Sequence, residues 1–272
     1  MPKFITNRSS FFAGFLQFDV HSGEIEINLS RVRKGLIEIT AAHQQISPGI
    51  IVLPEVWATG FAYEKLQALA GIIPEVLKKL QELSTKYQVY IAGSLPEYSD
   101  NCYYNTLYIT GPEGTAGTYR KQRLFSPMAE DTFFTPGDYS SPVQTYFGPV
   151  AGLVCYDLRY PELLREQTAL GANLLLVSAQ WPTARINHWR VLLQARAIEN
   201  QIFVVAANRC GTTGDTAFGG HSMIVGPDGT ILLEAGADNE CRGVMLDPAM
   251  VSEARALFNT VPAKNEELPP KG

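Results

Sequence analysis

Three side chains of complementary chemistry stand just after, or at the end of, β-rich runs of the sequence: Glu55, Lys121 and Cys155. Where helices cover a sheet, ligands collect beyond the carboxyl ends of its strands, so groups in such positions can converge on one molecule. Hydrolysing an amide requires a nucleophile, a group that removes and returns a proton, and a positive charge beside the carbonyl oxygen. A thiol, a carboxylate and an ammonium supply these in turn, so the three residues predict thiol-dependent amide hydrolysis.

Each of the three residues also has an ordinary structural interpretation. A single cysteine after a strand is commonly an inert core residue. Glu55, after a proline, is typical of a solvated carboxylate, and Lys121 stands among Arg120 and Arg123, as surface charge does. A thiol with an unperturbed pKa of ~8.5 needs a cation and a base beside it to ionise at neutral pH. Spacing alone leaves both interpretations open.

The sequences around the three residues resemble the motif blocks of the nitrilase, or carbon-nitrogen hydrolase, superfamily. The blocks are Leu53-Pro54-Glu55, Tyr119-Arg120-Lys121 and the segment from Gly152 to Glu162, in fitting order and separation. The similarity continues through 195–200, 208–209 and 219–222, so it covers roughly Phe11 to Met250. The resemblance implies Glu55 as general base and then acid, Lys121 as transition-state stabiliser and Cys155 as nucleophile. It implies neither a metal nor an organic cofactor.

Two further residues are assigned supporting roles. Glu130 stands nine residues after Lys121 and resembles the additional glutamate that many family members place beside the lysine; the alternative is an exposed loop acid. The backbone N–H of Tyr156 is the expected second donor to the oxyanion, which forms when Cys155 attacks the carbonyl carbon.

The substrate is less sharply indicated, because nitriles, amides and N-carbamoyl amines share the same three groups. The stretch from Ser178 to Pro182, with the residues that follow it to 196, resembles the ω-amidase branch, which acts on 2-oxo dicarboxylic acid monoamides such as 2-oxoglutaramate. Arg185 or Arg159 could hold the substrate carboxylate, although each could also be a surface or structural cation. Phe61 and Trp181 could form an apolar wall, although such residues are commonly core.

Several alternative functions stay open. Within the same family the chain could be a nitrilase, an aliphatic amidase or an N-carbamoyl amine hydrolase. A papain-like pairing of Cys155 with His188 or His221 would make the Glu and Lys motifs coincidental. From another class, the chain could be a non-catalytic relative that binds small molecules or proteins. A dinucleotide-binding fold is disfavoured because no G-x-G-x-x-G follows the first strand.

The strands and helices that must position these residues indicate an α/β protein. Runs such as 50–53 and 174–177 are apolar on both faces, which predicts buried central strands. Turn signals at 111–114 and 226–229 predict hairpins and therefore mixed sheets. Both halves run strand, helix, strand, hairpin, which predicts internal pseudo-symmetry, and the family resemblance implies a four-layer α-β-β-α sandwich. Helical periods cover 25–46, 74–87, 161–170, 187–200 and 248–257.

Composition narrows the partners to small molecules. The chain has 272 residues, 18% of them charged, and a net charge of -5, and no run of five Lys or Arg residues occurs. Nucleic-acid and anionic membrane surfaces are therefore disfavoured. No apolar stretch approaches the roughly 18 residues of a membrane span, and Phe11 to Phe18 is expected to be a strand and not a signal peptide.

The remaining expectations concern organisation and compartment. We expect one domain over 1–258 and a C-terminal arm over 259–272, extended or disordered, which could pack on a second subunit. The four cysteines lie far apart without a CxxC pair, which favours free thiols in the cytoplasm and disfavours a zinc site. The family commonly dimerises, so a homodimer or higher homo-oligomer is expected.

Overall fold

The computed structural model describes residues 9–139 and 141–261. Within them the chain forms two six-stranded sheets, a small hairpin sheet and six α-helices. The strands are β1 Phe11–Gln17, β2 Gly49–Val52, β3 Val89–Ser99, β4 Cys102–Gly111, β5 Gly114–Arg120, β6 Val143–Thr145, β7 Gly148–Val154, β8 Leu174–Ala179, β9 Phe203–Asn208, β10 Cys210–Thr213, β11 Thr216–Gly219, β12 Met223–Val225, β13 Ile231–Glu234 and β14 Glu240–Leu246. The helices are α1 Ile25–Ala42, α2 Leu66–Tyr87, α3 Glu130–Phe133, α4 Pro161–Ala169, α5 Ile186–Asn200 and α6 Ala249–Leu257.

The two large sheets repeat one topology, which confirms the predicted pseudo-symmetry and the mixed sheets. The first sheet has the order β14-β1-β2-β3-β4-β5 and the second has the order β13-β12-β9-β8-β7-β6. In the first half β1, β2 and β3 pair in parallel, and β4 and β5 follow in antiparallel fashion. In the second half β7, β8 and β9 are parallel, and β12 and β13 follow in the same way. Each half adds one antiparallel edge strand, β14 or β6.

The strands are buried on both faces, as their apolar runs predict. In β1, Ala13 and Phe15 lie in the core that joins the two sheets, whereas Phe12 and Leu16 lie in a second core with α1 and α2. Alternate residues of a strand point to opposite faces, so a strand covered by a sheet and by helices must be apolar throughout. On the second sheet, α4 and α5 supply the outer cover. The four-layer sandwich is therefore confirmed.

The helix and strand boundaries differ from prediction where local signals were misleading. Helix α2 begins at Leu66 and contains Pro74, the predicted start of the helix. The helix begins earlier because its apolar face already includes the turns before the proline. Helix α1 ends at Ala42 and not at 46. Strand β14 and the β10–β11 hairpin were not predicted: their burial is uneven, so their sequences lack a clear apolar period.

The C-terminal segment is described only as far as 261. Thr260 donates its hydroxyl to the Glu199 carbonyl at 3.0 Å and its N–H to Gln201 Oε1 at 3.1 Å. These bonds attach the start of the expected arm to the end of α5; the rest of the arm lies outside the described residues, and the domain limit at 258 stays a prediction. Among the helices described, none is both long and apolar enough to span a membrane.

A glycine at the start of the motif block that contains Cys155 allows the two sheets to pack closely. A Cβ atom on Gly152 of β7 would lie 2.7 Å from Leu107 Cδ2 and 3.2 Å from Tyr119 Cβ, both in the first sheet. Such distances are too short for packed carbon atoms, so the absence of a side chain lets β7 approach β4 and β5. The distance between the motif segments therefore depends on this residue.

We expect Gly152→Ala to lower the free energy of unfolding by about 1–3 kcal/mol, because the added methyl group overpacks the core between the sheets. The matched control is Gly71→Ala in α2, where an added Cβ meets nothing within 4 Å; it should raise stability by about 0.5–1 kcal/mol through helix propensity. Urea unfolding of both variants measures this. Equal stability of Gly152→Ala and wild type would contradict the packing argument.

Candidate active site

The three motif residues meet at one cavity of about 420 Å³. Glu55 comes after β2 of the first sheet, Lys121 directly after β5, and Cys155 directly after β7 of the second sheet. The cavity is lined by polar side chains at Glu55, Lys121, Glu130, Cys155 and Gln180, and otherwise by Phe61, Tyr63, Phe125, Met128, Tyr156, Arg159, Trp181, Pro182 and Arg185. All the residues proposed from sequence for this site therefore line one cavity.

The Lys121 ammonium is buried and is shared between two carboxylates. Its Nζ donates to Glu55 Oε1 at 2.8 Å, to Glu130 Oε1 at 2.9 Å and to Glu130 Oε2 at 2.7 Å. Lys121 is 1% exposed, and its three protons have three acceptors. Burial by itself would lower the pKa of Lys121, but the charges of Glu130 and Glu55 raise it well above its ordinary value. The side chain is therefore a permanent cation.

Asn105 of β4, which was not predicted from the sequence, belongs to the same cluster. Its Nδ2 donates to Glu55 Oε1 at 2.8 Å and to Glu130 Oε1 at 3.0 Å. Its backbone carbonyl accepts the Lys121 N–H at 2.8 Å. One buried residue thus holds both carboxylates with its side chain and the lysine with its backbone. A polar residue at the head of an apolar strand was the signal that could have identified it.

The main chain around Glu55 is held by groups from both sheets. Gln180, after β8, donates its N–H to Glu55 Oε2 at 3.1 Å and its Nε2 to the Glu55 carbonyl at 2.8 Å. Ser178 donates its hydroxyl to the Leu53 carbonyl at 2.8 Å and accepts the Ser94 N–H at 3.1 Å. Glu55, which follows β2 of the first sheet, is therefore held in position by residues of the second sheet.

Burial dominates the proton affinity of Glu55. It raises the pKa of the carboxyl group above its ordinary value; the Lys121 ammonium opposes this rise, and the Glu130 carboxylate adds to it. A carboxylate with a raised pKa is a stronger base than one in water. Glu55 is therefore a stronger proton acceptor here than a carboxylate in water.

Cys155 opens a 3-10 turn, Cys155–Arg159, and has a positive φ of 46°. This uncommon backbone conformation for a non-glycine residue turns the chain sharply at the end of β7. Burial raises the pKa of the Cys155 thiol well above its ordinary value, with a further contribution from Glu55 and opposition from Lys121. The sulfur is therefore protonated in the free protein.

Asp157 ties the segment after Lys121 to the turn of Cys155. Its Oδ1 accepts the Arg123 N–H at 2.8 Å, and its Oδ2 accepts the Val154 N–H at 3.1 Å and the Tyr119 hydroxyl at 2.9 Å. Burial raises the pKa of Asp157 to about 7, although these donors favour the ionised form. Asp157 therefore accepts hydrogen bonds from groups of both sheets. In the sequence it was indicated only as part of the third motif block.

The walls of the cavity carry the residues proposed for substrate binding. The Arg159 guanidinium lies 4.7 Å from the centre of the Trp181 ring, and the Arg185 guanidinium lies 5.5 Å from that of Phe125. Within 9–139 and 141–261 neither guanidinium has a carboxylate partner, which removes the structural ion pair considered for Arg159. Tyr156 lies in the first turn of its 3-10 segment, where N–H groups lack partners inside the turn.

Neither histidine proposed for a papain-like pair is bonded to Cys155. The ring of His221 contacts Glu234 Oε1 through Nδ1 at 2.9 Å, and His188 Nδ1 contacts Arg159 at 3.3 Å. Neither residue belongs to the cavity lining. Among the residues described, no group of three or more His, Cys, Asp and Glu side chains is arranged to hold a metal ion.

The chain shares sequence with proteins of one enzyme family. The family model described as carbon-nitrogen hydrolase matches residues 22–256. A 2-oxoglutaramate amidase from Bacillus subtilis (strain 168) is 37% identical over 243 residues, which cover 88% of this chain and 92% of that protein.

Solved structures of the same family have the same fold. A carbon-nitrogen hydrolase from Helicobacter pylori G27 matches with a TM-score of 0.86 and 25% identity, covering 93% of this chain and 94% of that one. A mutant of the amidase from Nesterenkonia sp. AN1 matches with a TM-score of 0.80 and 26% identity, covering 93% and 97%. That structure holds the acetamide moiety of fluoroacetamide, covalently added at the active site cysteine.

We expect Lys121→Met to lower the free energy of unfolding by about 3–5 kcal/mol at pH 8, because two buried carboxylates lose the ammonium that contacts both of them. The loss should be smaller at pH 5. Without the ammonium the pKa of the Glu55 carboxyl in the folded state rises further, so the folded variant binds a proton that the unfolded chain does not, and its stability increases as the pH falls through that pKa.

Urea unfolding at the two pH values measures this difference. The matched control is Lys79→Met, which removes an ion pair with Glu26 at the surface and should have little effect at either pH. A loss in Lys121→Met that is independent of pH, or larger at pH 5, would contradict the charge pairing.

Proposed function

The chain belongs to the carbon-nitrogen hydrolase family, and we propose that it splits the terminal carboxamide of a 2-oxo dicarboxylic acid monoamide into acid and ammonia. One observation carries the proposal: a thiol, a carboxylate and a buried ammonium line the same cavity as the guanidinium groups of Arg159 and Arg185, which have no carboxylate partner within 9–139 and 141–261. The 2-oxoglutaramate amidase of Bacillus subtilis, 37% identical, supports this substrate class.

Acylation begins when Cys155 attacks the carboxamide carbon and Glu55 takes the thiol proton. The buried cluster holds two carboxylates and one ammonium, so this transfer moves a negative charge from Glu55 to sulfur without changing the net charge. Ionising the thiol to solvent would bring an additional charge into the cavity. The raised pKa of Cys155 is therefore compatible with reaction, because sulfur gives up its proton only as the bond to carbon forms.

The hydrogen bonds of the Lys121 ammonium suggest how the oxyanion is stabilised. In the free protein all three ammonium protons are donated to Glu55 and Glu130. Protonation of Glu55 removes its charge and weakens its bond from Lys121, which frees one N–H for the developing oxyanion. The Tyr156 N–H is the second donor. The loss of one such donor typically reduces kcat about 10²–10³-fold.

The second half of the reaction uses the same carboxyl group in reverse. Protonated Glu55 gives its proton to the nitrogen as the C–N bond breaks, and ammonia leaves a thioester on Cys155. Glu55 then takes a proton from the water that attacks the thioester carbon. Collapse of that intermediate releases the acid and returns the thiol. Glu130 touches neither step directly and holds Lys121 in place.

The acid end of the substrate is assigned to the guanidinium groups of Arg159 and Arg185. A planar guanidinium binds a carboxylate through two parallel hydrogen bonds. Phe61 and Trp181 pack beside the carbon chain between the carboxylate and the carboxamide. The lining combines two cations, apolar rings and the thiol, which suits a short chain that carries an acid at one end and an amide at the other.

Two finer proposals concern assembly and compartment. We propose a homodimer or higher homo-oligomer, which is supported by the exposed apolar side chains of Val191 and Ile198 on α5, 64% and 50% exposed. We also propose the cytoplasm as the compartment. All four cysteines carry free thiols, which a reducing environment maintains.

The first prediction concerns the nucleophile. Wild type should release ammonia from 2-oxoglutaramate, and Cys155→Ala should lose this activity by at least about 10³-fold, with an unchanged circular dichroism spectrum. Cys155→Ser should retain little activity, because an alcohol is much harder to ionise than a thiol. Ammonia release is measured across 2-oxoglutaramate, 2-oxosuccinamate, propionamide, a nitrile and an N-carbamoyl amine.

The control for this experiment is Cys102→Ala, which removes a thiol outside the cavity and should keep full activity. Wild-type turnover by Cys155→Ala would end the proposed mechanism. Faster hydrolysis of the nitrile or the carbamoyl amine than of the 2-oxo amides would end the substrate assignment and leave the reaction class intact.

The second prediction concerns the carboxylate. Arg159→Met and Arg185→Met should each raise KM for 2-oxoglutaramate by about 10- to 100-fold, the typical effect of a charged hydrogen bond. KM for propionamide, which has no carboxylate, should change little. Arg33→Met on the exposed face of α1 is the control. Equal effects on both substrates would assign the arginines to packing, and no effect on either would exclude them from the site.

A further inference from the structure

The hydroxyl group of Tyr63 is buried at the active-site cavity with nothing to bond. Tyr63 lines the cavity, and its Oη has no hydrogen-bond partner within 9–139 and 141–261. Buried polar atoms without a partner are rare in folded proteins, and each one calls for an explanation. A ligand that completes the bond is one such explanation.

The ring of Tyr63 is fixed in place by three other aromatic rings. It stacks on Phe133 with 4.3 Å between centroids and 3° between planes, and its centroid lies 6.2 Å from Phe134 and 5.7 Å from Phe61. Stacking of this kind restricts rotation about both side-chain torsions. The hydroxyl therefore cannot easily turn toward another partner, and its position in the cavity wall is fixed.

The phenol is neutral at any working pH. Burial raises the pKa of Tyr63 above its ordinary value, and the nearby carboxylates of Glu130 and Glu55 raise it further. Tyr63 lines the same cavity as both of these carboxylates. A neutral phenol offers one proton and two lone pairs.

Few other hydrogen-bond acceptors remain free at that end. Glu130 Oε1 already accepts from Lys121 and Asn105, and its Oε2 accepts from Lys121 and the Phe125 N–H. Both oxygens of Glu130 therefore have two donors each, which fills their lone pairs.

The acceptors of Glu55 and Gln180 are nearly filled as well. Glu55 Oε1 accepts from Lys121 and Asn105, and its Oε2 accepts the Gln180 N–H. Gln180 Oε1 accepts from Arg209 at 2.8 Å. Within 9–139 and 141–261, Asn105 Oδ1 and the Tyr63 hydroxyl are buried side-chain oxygens without a partner, and of the two residues Tyr63 lines the cavity.

A primary carboxamide brings two N–H groups, and on the proposed function its nitrogen must lie beside Glu55, which protonates it. We infer that the Tyr63 hydroxyl oxygen accepts the second N–H of the substrate carboxamide and keeps that bond until ammonia leaves. This assignment rests on the proposed function and adds to it the group that recognises the leaving nitrogen.

The bond has a defined place in the chemistry. As the C–N bond breaks, its electron pair goes to nitrogen, which takes the proton of Glu55 and leaves as ammonia. A hydrogen bond from one N–H to Tyr63 orients the nitrogen so that its lone pair faces that proton. A site that bonds an N–H discriminates against analogues that lack it. The hydroxyl therefore favours amides over esters of the same acid.

The test is Tyr63→Phe, which keeps the ring stacking and removes only the oxygen. The substrates are 2-oxoglutaramate and the ester with a methoxy group in place of its amide nitrogen. We expect kcat/KM for the amide to fall about 10- to 100-fold and kcat/KM for the ester to stay within about twofold of wild type. The control is Tyr98→Phe, an exposed tyrosine, which should change neither value.

Stability provides a second readout that does not require turnover. Because the hydroxyl has no partner in the free protein, Tyr63→Phe should unfold at the same urea concentration as wild type or at a higher one. A clear loss of stability would show that the hydroxyl is bonded within the protein, and would overturn the inference.

The outcomes separate this inference from the proposed function. If wild type hydrolyses the amide and Tyr63→Phe loses activity equally on amide and ester, or on neither, the Tyr63 assignment is wrong and the proposed function stands. If wild type hydrolyses the ester but releases no ammonia from this or any other primary amide, the proposed function fails and the Tyr63 assignment fails with it.

Discussion

The structure of the site depends on one buried ammonium group shared by two carboxylates. A lysine that is 1% exposed is tolerable in a protein interior only when it is paired and fully hydrogen-bonded. Lys121 satisfies this through Glu55 and Glu130, and Asn105 completes the arrangement by donating to both acids. The four residues lie in or directly after different elements of the chain, so the charge pairing also holds those elements together.

The fold brings these groups together through its pseudo-symmetry. Two halves of equal topology pack face to face, and the carboxyl ends of β2 in one sheet and of β7 and β8 in the other meet at the cavity. Glu55, Cys155 and Gln180 are carried on those three ends. The two halves share their topology but not their reactive groups. A carboxylate follows β2 in the first half, whereas the amide side chain of Gln180 follows the equivalent strand, β8, in the second half.

A second set of bonds crosses between the sheets and sets the geometry of the site. Asp157 connects the chain after Lys121 to the turn of Cys155, and the pair of Ser94 and Ser178 fixes the main chain before Glu55. Gly152 allows the sheets to approach at this level. Because these contacts are buried and made by short side chains or backbone, small shifts in sheet packing are transmitted directly to the distance between sulfur and ammonium.

The sequence by itself determined the α/β class, the two-sided burial of the central strands and the identity of the reactive groups, because each of these depends on residue type and local spacing. Glu55, Lys121, Cys155 and Glu130 could be chosen in this way. The roles of Asn105 and Tyr63, and the lack of acidic partners for Arg159 and Arg185 among the described residues, were decided only by the tertiary structure. Whether a polar atom is bonded or left free depends on neighbours from distant parts of the chain, and no local pattern encodes them.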